Sequence, residues 1–100
     1  GADAAARTTA LLAPRAAAAP GWYMHIDLDV AGPEAVPGQL TNAPHWPARG
    51  DLLASITAAA RAVPLHCLGI AAYDPAGDPG RLGARLAVEC AVAALGHRVG

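Results

Sequence analysis

One hundred residues with a formal charge of −1 make one small domain at most, and that balance gives no reason to expect nucleic acid or an anionic membrane as partner. The 54% hydrophobic content overstates the available core, because Ala is about a quarter of the chain and Phe is absent. No apolar run approaches the roughly 18 residues of a membrane span. Cys67 and Cys90 lie too far apart for a CxxC motif, so both are expected to be reduced, buried thiols of a cytoplasmic protein rather than a disulfide.

Residues 1–20 predict an Ala-rich surface helix ending near Pro14, followed by a linker. The apolar patch Leu11-Leu12 does not make an export signal. Asp3 precedes any basic residue, Arg7 is the only early positive charge, and Pro14-Arg15 cut the run short. The chain starts with Gly, and its single Met, Met24, lies inside the next element, as in a piece of a longer protein. Trp22 to Val30 is near-continuously apolar apart from its acidic end, the pattern of a parallel strand buried on both faces. Residues 31–50 hold four prolines and three glycines and predict a long loop, of the kind that serves as a lid or binding loop. Asp51 then caps a helix whose positions Leu52, Ile56, Ala59 or Ala60, and Val63 follow the 3.6 period, and Pro64 stops it. His66 to Tyr73 is the second strand. Asp78-Pro79 opens a last helix, with Asp as N-cap and Pro at the first helical position, running past Leu82, Leu86, Cys90 and Ala93 to Gly96.

Strand, helix, strand, helix describes an α/β fold with a parallel sheet, and such sheets bind ligands beyond the carboxyl ends of their strands. Two parallel strands alone leave both sheet edges open and bury little, so residues 1–100 by themselves are expected to be poorly stable. The first strand ends in His25-Ile26-Asp27-Leu28-Asp29-Val30. In an extended segment His25, Asp27 and Asp29 share one face, with residues two apart separated by roughly 7 Å. Two carboxylates so placed can converge on metal ions about 3.5–4 Å apart. Like charges on an apolar strand are costly unless a cation offsets them. The plain alternative is that both are strand-end residues capping backbone groups. His25 is read as a packed or ligand-supporting histidine, Asp74 and Asp78 as turn and cap residues, and His45-Trp46 as a partly exposed loop pair. His66 and His97 carry no metal-type spacing.

Residues 21 to about 96, roughly three quarters of the chain, resemble the carboxyl-terminal part of the arginase-type ureohydrolases, the family of arginase, agmatinase and formiminoglutamase. That signature is a small polar residue, an apolar residue, Asp-x-Asp, three residues, Pro, three residues and Pro-Gly. Here it runs from His25-Ile26-Asp27-Leu28-Asp29 through Pro33 to Pro37-Gly38, and Ala72-Tyr73-Asp74-Pro75 sits where the family has a second strand ending in a Pro turn. The resemblance implies that residues 21–100 are the βαβα carboxyl-terminal portion of a three-layer αβα fold. It also implies a binuclear Mn²⁺ site, with Asp27 as the carboxylate bridging both ions and Asp29 as a ligand of one. The activity implied is hydrolysis of a C–N bond in a small guanidino or amidine substrate by a metal-bridging hydroxide, in a full-length protein with room for a homo-oligomer.

The sequence departs from the family at several places. The third aspartate of the signature is Gly32, the Ser or Thr is His25, and the glutamate that grips the guanidinium in arginase falls at Ala72. No GGDH-like or DAHxD-like segment, the source of the remaining ligands, occurs in these residues. These departures define the alternative, a catalytically inactive arginase-like protein with a structural or regulatory role. A third possibility, a small α/β module binding Mg²⁺ and a phosphate, lacks the Gly-rich loop that would cradle the phosphate.

Overall fold

A computed structural model describes residues 2–33, 36 and 45–96. Helix α1 spans Ala2–Leu12, where the alanine run supplies the strongest intrinsic helix former and Asp3 places a negative charge in the first turn. Pro14 lacks the N–H that an α-helix would need, and the chain winds on as a 3₁₀ helix over Ala13–Ala18. The expected helix is thus present, and its α-helical part ends two residues before the proline. It also packs along the next helix, α2 (Arg49–Ala62), with the Ser55 hydroxyl donating to the Ala4 carbonyl at 3.5 Å.

Strands β1 (Trp22–Asp27) and β2 (Leu65–Ala71) form a two-stranded parallel sheet, connected by α2. Tyr23 pairs with Cys67, His25 with Gly69 and Asp27 with Ala71, and a register shift between Trp22 and Tyr23 leaves His66 as the extra residue. Burial alternates along β1, with Ile26 buried and Tyr23, His25 and Asp27 exposed. The expectation of a strand covered on both faces is therefore corrected. Met24, Ile26, Leu68 and Ile70 pack with α2 and α3 (Leu82–Leu95), and the described residues place no helix layer over Tyr23 and His25. The expected burial of Cys67 fails for the same reason. It lies on the exposed side, whereas Cys90 is buried in α3, and both are free thiols.

The core gathers Ile26 and Leu28 from β1 and the turn after it, Ile56 and Ala60 from α2, Leu65 from β2, and Leu86, Cys90 and Ala94 from α3. The small residues Ala60, Cys90 and Ala94 let the helices pack closely, and the Thr57 hydroxyl ties α2 to α3 by donating to the Ala93 carbonyl at 3.3 Å. α2 starts three residues earlier than the sequence predicts. Ala48 is at the cap position without a side-chain hydrogen bond, and Asp51 is a first-turn residue whose charge meets the positive end of the helix dipole. α3 starts later than predicted. Asp78 to Arg81 form a turn closed by the Arg81 N–H on the Asp78 carbonyl at 3.0 Å, and only then does the helix begin. Among the described residues no helix is long and apolar enough to cross a membrane. Residues 34, 35 and 37–44 of the predicted loop, including Pro37-Gly38, and His97 lie outside the described residues.

Candidate metal site

Both candidate carboxylates lie at the carboxyl end of β1, but not as neighbours on one strand face. Asp27 is the last extended residue, at φ −95° and ψ 121°, and the chain then bends into a 3₁₀ turn over Leu28–Val30. One oxygen of Asp27 accepts the Asp29 N–H at 2.9 Å, so the side chain caps the turn that carries the second carboxylate. The strand alternation that would align Asp29 with Asp27 is broken at Leu28. What puts Leu28 inward is burial: its side chain is fully enclosed, at 0% exposure, between an exposed Asp27 and a half-buried Asp29. The Ala31 N–H closes the turn on the Leu28 carbonyl at 3.1 Å. The capping reading of Asp27 and a ligand role are compatible, since a carboxylate has several lone-pair sites.

His25 shares the outer face with Asp27, as the period of the strand requires. Its Nδ1 lies 3.2 Å from the Tyr23 hydroxyl. Tyr23 reaches that position by lying across Gly69 of β2, where any Cβ would collide with the phenol oxygen. A glycine in the middle of a short strand is the sequence signal for this close approach. Ala72 follows Ala71, the register partner of Asp27, and so stands level with the start of the carboxylate turn on the neighbouring strand. Its φ of 68° ends β2 there.

Gly32, at the place of the family's third aspartate, is buried beneath the Trp46 indole, and a Cβ there would collide with the indole nitrogen. Trp46 is therefore more than an exposed loop residue: it shields Gly32 and walls a cavity of about 470 Å³ with Ala31, Pro47, Arg49, Leu52 and Leu86. Arg49 on its rim donates from Nε to Glu89 Oε1 at 3.3 Å and forms an ion pair with the same carboxylate. Asp74 is the turn residue the sequence predicts, its Oδ1 accepting the Ala76 N–H at 3.0 Å.

As donors, Asp27 and Asp29 suit a hard divalent ion such as Mn²⁺ in kind but not in number. Among the described residues no group of three or more His, Cys, Asp or Glu side chains is placed to hold a metal. No protein-family model matches the chain, and no curated protein matches it.

Proposed function

We propose that this chain is part of a Mn²⁺-dependent, cytoplasmic hydrolase of the arginase type, acting on the C–N bond of a small guanidino or other amidine substrate. The observation that carries the proposal is the pair Asp27 and Asp29 on a tight turn at the carboxyl end of a parallel strand, where α/β sheets keep their ligand sites. Asp27 and Asp29 would hold the ions, together with ligands from outside these residues. When bound, paired divalent ions supply the Lewis acidity that makes water a nucleophile at neutral pH. The chain's own contribution is placement: the Asp27 cap fixes the Asp29 backbone, and buried Leu28 fixes the turn against the core.

Two features favour the second reading, an arginase-like protein without catalysis. Ala72, exposed and next in sequence to the register partner of Asp27, brings no acceptor for a cationic substrate, and substrate discrimination depends on such polar partners. Gly32 is closed to any larger residue while Trp46 covers it. The test has two parts. Metal content of the Mn²⁺-treated full-length protein should fall to background in Asp27→Asn and fall in part in Asp29→Asn. Unchanged content in both variants would make the pair structural and remove the basis of either reading. Urea release from arginine and agmatine, compared with the Ala72→Glu variant, then separates an active enzyme from an inactive relative. The unmodified protein is expected to be a poor arginase, and efficient turnover of arginine with no gain in the variant would show that Ala72 is not the deciding position.

A further inference from the structure

Asp78 is the one buried charged residue among those described, at 6% exposure, and its carboxylate accepts three hydrogen bonds. Its Oδ1 accepts the Gly83 N–H and its Oδ2 the Ala84 N–H, both at 3.0 Å, and Oδ2 also accepts the Tyr73 hydroxyl at 2.8 Å. Arg81, at the formal cap position of α3, makes no side-chain cap and sits at φ 58°. The helix is capped instead from a turn away, by a residue that also grips the first segment after β2.

The contacts continue toward the carboxylate turn. A Cβ built on buried Gly83 would lie 3.4 Å from atoms of Asp78, Tyr73 and Val36, so these three side chains close around the glycine. Val36 belongs to the connection after β1 and is 3% exposed. Its N–H donates to the Gly32 carbonyl at 3.1 Å, Gly32 follows Ala31, and the Ala31 N–H closes the Leu28–Val30 turn. The segment after β2 and Val36 from the connection after β1 therefore meet around Gly83, the first tied to Asp78 by hydrogen bond and the second packed against the glycine that Asp78 caps.

We propose that Asp78 is a positioning residue that clamps the two connections leaving β1 and β2 and thereby holds the turn carrying Asp29. Neither the Asp-x-Asp signature nor its metal assigns this role to Asp78. Its consequence for metal binding rests on the proposed function, whereas the clamp itself does not. Tyr73→Phe removes one hydroxyl and keeps the ring. Asp78→Asn keeps the shape and removes one acceptor oxygen.

The experiment is amide hydrogen exchange of the full-length protein by NMR, followed by Mn²⁺ titration read as paramagnetic broadening at the Asp27 and Asp29 amides. In both variants exchange at Ala31 and Val36 should quicken roughly tenfold, as for loss of one hydrogen bond to a charged group, while Met24 and Ile26 keep their wild-type rates. The Mn²⁺ concentration needed for half-broadening should rise several-fold. Wild-type exchange at Ala31 and Val36 in both variants would overturn the clamp, and so would an equal acceleration of every amide, which marks general destabilisation. Absence of broadening in the unmodified full-length protein would instead overturn the metal reading, with the exchange at Ala31 and Val36 still deciding the clamp.

Discussion

Replacing Leu28 with alanine should separate the scaffold of the candidate site from its chemistry. Leu28 is fully enclosed, and it is the only side chain between the two aspartates. Truncation removes apolar surface worth about 2–3 kcal/mol. The residual cavity raises the loss to about 3–4 kcal/mol, within the usual range for buried leucines. For a chain of this length that corresponds to a fall in melting temperature of roughly 12–32 °C. Urea unfolding followed by circular dichroism would measure it, as a lower midpoint at unchanged slope. Asp27→Asn and Asp29→Asn, on the exposed and half-buried sides of the same turn, should move the midpoint far less. Leu28→Met keeps the volume and should stay within about 1.5 kcal/mol of the unmodified chain, which leaves a readable variant if the alanine form does not fold. A loss below about 1 kcal/mol for Leu28→Ala would mean that the turn is not anchored through this side chain, and the ordering of Asp29 would need another cause.

The isolated chain, with its two-stranded sheet and alanine-rich core, should melt below about 60 °C, and a sharp two-state transition above that would refute the expectation of marginal stability. The Gly83 N–H, foremost, holds the Asp78 carboxyl below the ordinary range, with Ala84 and Tyr73 adding to it against the opposing effect of burial. A depressed folded pKa gives stability that is complete above about pH 4 and is lost as the pH falls through the lower folded value. The stability difference between the unmodified chain and Asp78→Asn should therefore shrink under acid, and a pH-independent difference would refute the linkage. Burial pushes the Cys90 thiol up, with the Arg49 charge opposing it. A thiol reagent near neutral pH should thus label exposed Cys67 quickly and Cys90 only on unfolding, and equal rates would contradict the burial of α3.

The order of elements was legible because apolar periodicity marks them locally: Leu52, Ile56 and Ala60 face the core at helical spacing, and Pro64 ends their helix. Boundaries were less legible where side chains act at a distance. Asp78-Pro79 has the composition of a helix start, yet Asp78 reaches past a four-residue turn to cap Gly83 and Ala84, a choice set by the Tyr73 hydroxyl and not by local propensity. The carboxylates were visible as an Asp-x-Asp at a strand end, but their relative placement was not. The expected strand runs to Val30, but β1 stops at Asp27: Leu28 is inward as the alternation requires, and the turn that begins there takes Asp29 off the strand face. Which face of the sheet is covered could not be read from Trp22 to Asp27 at all, since Met24 and Tyr23 are both large and their separation depends on where α2 and α3 pack.

Ala72 makes the substrate comparison internally controlled. A side chain in left-handed backbone costs roughly 1–2 kcal/mol relative to glycine, and at φ 68° the unmodified chain already carries that cost. Glutamate at this position inherits it instead of adding it. A change in turnover for Ala72→Glu would then report the new carboxylate, whereas Ala72→Gly, which releases the strain without adding a charge, would report the backbone alone.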